Sequence, residues 1–63
     1  MYIGIVIKEI RKQKGFTQVE LSDKTNISIR TIQRIENDVV EPSLYSLKRI
    51  SEILDFNFLR INI

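Results

Sequence analysis

The amino-acid sequence predicts an all-α bundle of four or five short helices that ends in a β-strand. Apolar residues recur at spacings of three and four along four segments, and a serine or threonine precedes three of them, where it can cap a helix. The last residues are rich in aromatic and β-branched side chains, which favour a strand. Because the chain contains neither a repeat nor a long linker, we expect residues 1–63 to form one domain.

The composition argues against most enzyme chemistry. The chain has no cysteine and no histidine, which removes disulfides, thiolate or imidazole zinc sites and catalysis by either residue. No run approaches the roughly 20 apolar residues that cross a bilayer. The start MYIGIVIKEI has its basic residues after the apolar stretch, the wrong order for a signal peptide. We therefore expect a cytoplasmic protein that is not an enzyme and uses no metal or other cofactor.

The first helix is expected at about residues 4–14. Its apolar residues recur at helical spacing, with charged residues between them. This apolar set consists of Ile3, Val6, Ile7 and Ile10. Gly15 follows, and a glycine readily adopts the left-handed backbone with which helices commonly end.

The second helix, at about residues 18–24, begins with a capping box. Thr17 can accept a hydrogen bond from the backbone of Glu20, and the Glu20 side chain can accept one from the backbone of Thr17. Phe16 and Leu21 occupy the two positions of a hydrophobic staple. These signals together predict a firm helix start.

A turn and a third helix follow, at about residues 29–36. Asn26 is one of the few residues besides glycine that tolerate a left-handed backbone, so it can form the turn. Ser28 can cap the third helix, and Ile27 and Ile32 can form a second staple. Two short helices joined by such a turn indicate a helix-turn-helix, although generic helical hairpins have the same outline.

The fourth helix is expected at about residues 44–54. Pro42 breaks the preceding pattern and Ser43 can cap the new helix. Its inner side carries Leu44, Leu47, Ile50, Ile53 and Leu54.

The tail is expected to form a strand at about residues 57–62 that makes a dimer. Its apolar side chains, which we expect to dimerise the protein, are Phe56, Phe58, Leu59, Ile61 and Ile63. A single strand leaves its backbone groups unpaired, and pairing with the same strand of a second subunit satisfies two-fold symmetry. Three alternatives stay open: pairing with the segment MYIGIVI, folding back on the same subunit, and a short fifth helix.

The segments GFTQVELSDKTNISIRTIQRIEN and EPSLYSLKRISEIL resemble the Cro/C1-type, or XRE-type, helix-turn-helix family over roughly residues 5–54. The matched features are the Thr-Gln pair that opens the second helix, Leu21, Ser28, Ile32, Ile35, the IEN that closes the third helix and the PSL that starts the fourth. Asn26 and Asp38 replace family glycines, and both residue types tolerate the left-handed backbone at some cost. The resemblance implies a lambda-repressor-like fold and binding to double-stranded DNA in a bacterium or phage.

Helical geometry turns one strip of the third helix outward once Ile32 and Ile35 face the core. The strip consists of Ile29, Arg30, Gln33, Arg34 and Asn37. In the resembled family this strip enters the major groove, where arginine suits guanine, glutamine suits adenine or phosphate, and Ile29 can contact a thymine methyl. The alternative is an ordinary solvated helix face.

The resemblance assigns further roles at the edges of this strip. It implies that Gln18 and Asn37 contact DNA phosphates, which positions a protein without specifying sequence, and it adds Ser28 to the DNA-binding set. Gln18 alone could equally be a tolerated polar residue at a helix start. Arg11 and Glu36 match a pair that forms a partly buried salt bridge in several family members, so we expect them to be structural.

The favoured function is a dimeric regulator of transcription, most simply a repressor, that binds a palindromic operator. Two recognition helices about 34 Å apart can read half-sites one DNA turn apart. The apolar tail also resembles that of HipB-type antitoxins, so an autoregulating antitoxin with a toxin partner is one alternative. A protein-interaction adaptor is another, and an enzyme would have to rely on carboxylates alone.

Overall fold

The computed structural model describes residues 3–57 and confirms the all-α fold. Its four helices are α1 (Ile3–Gln13), α2 (Gln18–Thr25), α3 (Ile29–Glu36) and α4 (Leu44–Leu54). The alternative strand in MYIGIVI is wrong for its described part, because Ile3 already begins α1. The predicted strand at residues 57–62 lies outside the described residues except for Asn57, and so do Phe58, Leu59, Ile61 and Ile63.

Side chains cap three of the helices as the sequence predicts. At α2 the Glu20 N–H donates to Thr17 Oγ1 at 3.0 Å, and the Thr17 N–H donates to Glu20 Oε1 at 2.8 Å, which completes the capping box. Ser28 Oγ accepts from the Thr31 N–H at 3.2 Å. Ser43 caps α4 in the same way. Each cap satisfies a backbone donor that a helix start would otherwise leave unpaired.

Within residues 3–57, four residues with positive φ separate or end the helices. Gly15 (φ 80°), Asn26 (φ 62°) and Asp38 (φ 61°) adopt the left-handed backbone that the sequence predicts. Asp55 (φ 57°) ends α4 in the same conformation. Asparagine and aspartate are the side-chain-bearing residues that enter this region most readily, so the turns form without the family's glycines.

The core lies where the four helices meet, with α1 and α2 each packed against α3 and α4, and it is almost entirely aliphatic. Its buried members are Ile3, Ile7, Leu21, Ile27, Ile32, Ile35, Ile50 and Leu54. The staple residue Phe16 is half-buried against this cluster. The expected inner position of Leu44 is wrong, because this first residue of α4 is 72% exposed. None of the helices in residues 3–57 is both long and apolar enough to span a membrane.

Gly4 sets how closely α1 approaches α3. It is buried, and a Cβ added at this position would overlap the backbone carbonyl of Ile35. Only a residue without a side chain allows α1 and α3 to come this near. The helical spacing of Ile3, Ile7 and Arg11 places Gly4 on the buried stripe, but the sequence pattern of apolar residues does not reveal its role.

Phe56, predicted to belong to the dimerising tail, packs against the core of its own chain. Its side chain is half-buried against the aliphatic cluster, and its N–H donates to the carbonyl of Ser51 at 3.0 Å. That hydrogen bond spans the end of α4, where Asp55 has left-handed backbone. Phe56 thus closes α4, as apolar residues just after a left-handed helix end often do.

Candidate nucleic-acid interface

The turn between α2 and α3 is held by Thr25, which is fully buried. Its Oγ1 donates to the Leu21 carbonyl at 2.7 Å and accepts from the Ile27 N–H at 3.3 Å. Ser22 Oγ also donates to the Ile27 carbonyl across the same turn. These side-chain hydrogen bonds orient α3 relative to α2. The role of Thr25 in this turn is not evident from the sequence pattern.

Arg49 of α4 reaches the same turn. Its Nε lies 3.4 Å from the Thr25 carbonyl oxygen and its Nη2 lies 3.5 Å from that of Lys24, within hydrogen-bond reach. Because the last carbonyls of a helix lack helical partners and carry partial negative charge, a guanidinium stabilises them. The sequence contains no local signal for this contact, since the residues lie 24 and 25 positions apart.

The two faces of α3 differ sharply in exposure. Ile32 and Ile35 are each 1% exposed, while Ile29 keeps 37% of its surface accessible. The structure therefore places Ile29 with the exposed residues of α3, as its angle on the helix predicts. The remaining members of the predicted strip are exposed too, namely Arg30, Gln33, Arg34 and Asn37.

Arg30 and Arg34 project from the exposed face one helical turn apart. Within residues 3–57, neither side chain makes an ion pair or a hydrogen bond. Unengaged guanidinium groups keep all of their fork-shaped donors available for an external acceptor such as a base edge or a phosphate. This availability is the electrostatic feature that most clearly suits the face to an anionic partner.

Arg11 and Glu36 form a buried, bidentate ion pair beneath this face. Arg11 Nε donates to Glu36 Oε2 at 2.7 Å and Nη2 donates to Oε1 at 3.0 Å, with side-chain exposures of 9% and 1%. Arg11 Nη1 also donates to the Phe16 carbonyl at 2.8 Å. The pair joins α1 to α3, and the third hydrogen bond ties both to the segment that leads into α2. It is more deeply buried than the resemblance suggested.

Gln18 extends this ion pair toward the exposed face. Its Nε2 donates to Glu36 Oε1 at 3.0 Å, and its Oε1 lies 3.5 Å from Gln33 Nε2. Gln18 is half-buried at the first position of α2, whereas Gln33 is exposed. The structure thus brings Gln18, Gln33 and Glu36 into one chain of hydrogen bonds. This link is absent from our sequence-based expectations.

Ser28 and Asn37 mark the two ends of α3. Ser28 is exposed as its N-cap, and its Oγ lies 2.9 Å from the hydroxyl of Thr31 as well as capping the helix. Asn37 is exposed as its C-cap, and its N–H donates to the Gln33 carbonyl at 2.9 Å. Both residues flank the exposed strip, where side chains could reach the phosphates on either side of a groove.

The comparison with known proteins agrees with this geometry. A family model described as Helix-turn-helix matches residues 7–60. The chain belongs to the Cro/C1-type helix-turn-helix family. In Cro/C1-type terms, α2 and α3 are the two helices of the motif, and the predicted strip lies on the exposed face of α3.

Two kinds of regulator are similar to this Cro/C1-type chain. It is 41% identical over 54 residues to the immunity repressor protein of Bacillus phage phi105, an alignment that covers 86% of the chain and 38% of that protein. It is 35% identical over 54 residues to the HTH-type transcriptional regulator SinR of Bacillus subtilis strain 168 and to that of Bacillus licheniformis, covering 84% of the chain and 49% of each. The chain thus spans half or less of the length of these relatives. No solved structure matches it significantly.

Proposed function

We propose that this chain binds double-stranded DNA in a sequence-specific manner through the exposed face of α3 and represses transcription. The observation that carries the proposal is that Arg30 and Arg34 project, without partners in the described residues, from the exposed face of α3 in a Cro/C1-type motif. The names of the similar proteins, an immunity repressor and a transcriptional regulator, support the same role. The proposal requires no enzymatic chemistry.

The proposed role of each residue in DNA binding follows from its position on the helix-turn-helix motif. Arg30 and Arg34 read guanine through paired hydrogen bonds, and Ile29 contacts a thymine methyl group. Gln18, Ser28 and Asn37 contact the backbone, which fixes register rather than sequence. The buried pair of Arg11 and Glu36 holds the scaffold and does not touch DNA.

Selection from a random oligonucleotide pool tests the proposal directly. The chain should bind the selected site with an affinity about 10³-fold or more higher than its affinity for random DNA at physiological salt, as is typical of specific binding. A pool that yields no consensus would contradict sequence-specific binding. Variant chains with Arg30→Ala and Arg34→Ala should each relax one position of the consensus and leave the rest unchanged.

A salt series separates DNA binding from the alternative of a protein-interaction adaptor. Binding to DNA phosphates releases counterions, so the logarithm of the affinity should fall linearly with the logarithm of salt, with a slope of about −0.9 per phosphate contacted. An adaptor without a DNA-binding role should give weak binding and a flat response. Lys48→Ala, at an exposed lysine of α4 that is not among the proposed DNA contacts, is the matched control and should leave the slope unchanged.

We also propose that the protein acts as a homodimer on a palindromic operator, joined through the tail. The proposal rests on the apolar character of Phe58, Leu59, Ile61 and Ile63 in the sequence and on the need to span two half-sites. A chain ending after Asn57 keeps Phe56 in the core and should sediment as a monomer, while the 63-residue chain should sediment as a dimer. A dimer that survives this truncation would contradict tail pairing. The antitoxin alternative depends on the same tail, and no described residue favours it.

A further inference from the structure

The carbonyl end of α2 carries partial negative charge close to the proposed DNA-binding strip. The last carbonyl oxygens of a helix lack helical partners, and the helix dipole adds to their negative charge. In α2 they include the carbonyls of Lys24 and Thr25, which come shortly before Ser28, the N-cap of α3. The N-terminal residues of a recognition helix contact base edges in the major groove. The turn before α3 should therefore lie beside the DNA backbone, where negative charge on the protein opposes binding.

Arg49 of α4 brings a positive charge to this end of α2. Its Nε lies 3.4 Å from the Thr25 carbonyl oxygen, and its Nη2 lies 3.5 Å from that of Lys24. No carboxylate in residues 3–57 lies within 4.0 Å of the Arg49 guanidinium. The full charge of a guanidinium exceeds the roughly half a negative charge at the C-terminus of a helix. The end of α2 is therefore left with net positive charge.

Lys24 adds a second positive charge at the same end of α2. It lies in the last turn of the helix, is exposed, and forms no ion pair within the described part of the chain. The nearest acidic residue on its side of α2 is Glu20, one helical turn earlier, but Glu20 Oε1 accepts from the Thr17 N–H instead. Hydrogen bonds from Thr17 are the main causes that lower the pKa of Glu20, and the charge of Lys24 is the smallest of them. This weak attraction leaves the Lys24 ammonium group available to a stronger anion.

The opposite end of α3 carries the opposite charge. Between Arg34 and Lys48 the sequence contains no basic residue, but it contains Glu36, Asp38 and Glu41. Glu36 is buried in its ion pair, whereas Asp38 and Glu41 are exposed and form no ion pair in residues 3–57. Exposed carboxylates repel DNA phosphates, which bind to positive charge. Positively charged contacts to the DNA backbone are therefore expected at the end of α2 and not in the loop that follows α3.

We infer that Lys24 and Arg49 form a further phosphate-binding site for the DNA backbone, at the end of α2 that leads into α3. This inference rests on the proposed function, since the phosphates are those of the bound DNA. Arg49 neutralises the α2 carbonyls that would repel a phosphate, and Lys24 binds the phosphate as a flexible point charge. Neither residue reads a base, so the site strengthens binding to any DNA sequence.

The dependence of DNA affinity on salt tests this site. Each phosphate contact adds about −0.9 to the slope of log affinity against log salt, so Lys24→Ala should make the slope less steep by about 0.9. The ratio of the affinity of the natural chain to that of the variant should then be about 3.5-fold larger at about 50 mM salt than at about 200 mM. The loss should agree within about twofold for selected and random DNA. A slope that Lys24→Ala leaves unchanged would overturn the inference, and so would a loss confined to the selected site.

Lys48→Ala is the matched control, because it removes the same charge from an exposed lysine that lies about 100° around α4 from Arg49. Its affinity ratio should stay constant across the salt series, and equal changes for Lys24→Ala and Lys48→Ala would show that only net charge matters, which overturns the site. Lys24→Arg keeps the charge and should retain the natural slope. Arg49→Met should also make the slope less steep, and a folded variant with the natural slope would overturn the assignment of Arg49. If Arg49→Met does not fold, the Lys24 variants decide. A natural chain whose DNA affinity does not depend on salt would instead count against the proposed function itself.

Discussion

The two faces of α3 use similar residues for opposite purposes. The inner face carries Ile32, Ile35 and the charged Glu36, all at least 97% buried, while the outer face carries Ile29 and the charged Arg34, both exposed. On the inner face the charge is matched by Arg11 through two hydrogen bonds. On the outer face no described residue pairs with Arg34. Residue type therefore does not separate scaffold from interface, whereas the angle around the helix does.

This difference also explains why the two charges should respond differently to removal of a partner. A buried charge that loses its partner remains desolvated and uncompensated, which is costly. An exposed charge remains hydrated whatever its neighbours do, so its loss changes folding little. Substitutions on the inner face of α3 should consequently change mainly the free energy of unfolding, and substitutions on its outer face should change mainly the affinity for DNA.

The largest expected effect is the loss of Glu36. Glu36→Ala leaves Arg11 buried without its carboxylate and should lower the free energy of unfolding by about 3–5 kcal/mol. A domain of this size has a total stability of only about 3–9 kcal/mol, on the order of 0.05–0.15 kcal/mol per residue, so the variant should be largely unfolded at elevated temperature. Urea unfolding followed by circular dichroism measures the change.

The matched control on the outer face is Arg34→Ala, which should change the free energy of unfolding by no more than about 0.5 kcal/mol. Equal losses for Glu36→Ala and Arg34→Ala would remove the distinction between the two faces.

The next effect concerns the close approach of α1 to the inner side of α3. Gly4→Ala places a Cβ against the Ile35 carbonyl and should cost about 1–3 kcal/mol, as overpacking of a tight core commonly does. Thermal unfolding measures it. Ile5→Ala, one residue along the same helix but half exposed, should cost less, and the reverse order would show that α1 can shift without penalty.

Binding to DNA is expected to change most at Arg34. Arg34→Ala should weaken binding to the selected site by about 1–3 kcal/mol, or roughly 5- to 150-fold, because a paired contact to guanine is lost. Binding to random DNA should change much less. Fluorescence anisotropy with both DNAs measures the ratio. Equal loss on both would assign Arg34 to a phosphate, and an unchanged ratio for Lys48→Ala provides the baseline.

The smallest expected effect is at the capping box that starts α2. Thr17→Ala should cost about 1 kcal/mol, as loss of an N-cap typically does. Hydrogen bonds from the Thr17 backbone, and then from its side chain, lower the pKa of Glu20. A lowered folded-state pKa stabilises the fold above the ordinary glutamate pKa, and this contribution disappears as the pH falls through the lowered value.

Unfolding measured across acidic pH checks this sign. Thr17→Ala keeps the backbone N–H, which is the larger cause, and removes the side-chain hydrogen bond, so its cost should be somewhat larger near neutral pH than in acid. Ser43→Ala is the control, since Ser43 caps α4, which has no acidic residue in its first turn, and its cost should vary less with pH. A cost of Thr17→Ala that increases on acidification would contradict the assigned direction.

The elements that the sequence predicted well are those with local causes. Three features were predicted correctly: the capping box of Thr17 and Glu20, the Ser28 cap and the left-handed turn at Asn26. Each depends on residues within a few positions of one another, so the local sequence is enough to predict it. The placement of Ile29 on the exposed side also follows from helical geometry alone. The pairing of Arg11 with Glu36 is different, because it came from the family resemblance and spans 25 positions.

The contacts that the sequence did not predict all depend on how closely separate helices pack. Gly4 matters because α3 passes beside it, and Arg49 matters because α4 meets the end of α2. Gln18 donates to Glu36, which lies 18 positions away, and no local signal in the sequence predicts that contact. Local propensity carries no information about such distant partners.

The sequence by itself thus determined which segments are helical, where they start and which side of α3 is exposed, because those properties arise from backbone conformation and helical periodicity over short distances. Only the tertiary structure decided how near α1 lies to α3 and which way the Gln18 amide turns. It also assigned Phe56 to the core of its own chain. These outcomes depend on contacts between separate helices. Hydrogen bonds to a buried carboxylate or a carbonyl, and packing against an aliphatic cluster, act only over a few ångströms, so they depend on which groups the packing of the helices brings together.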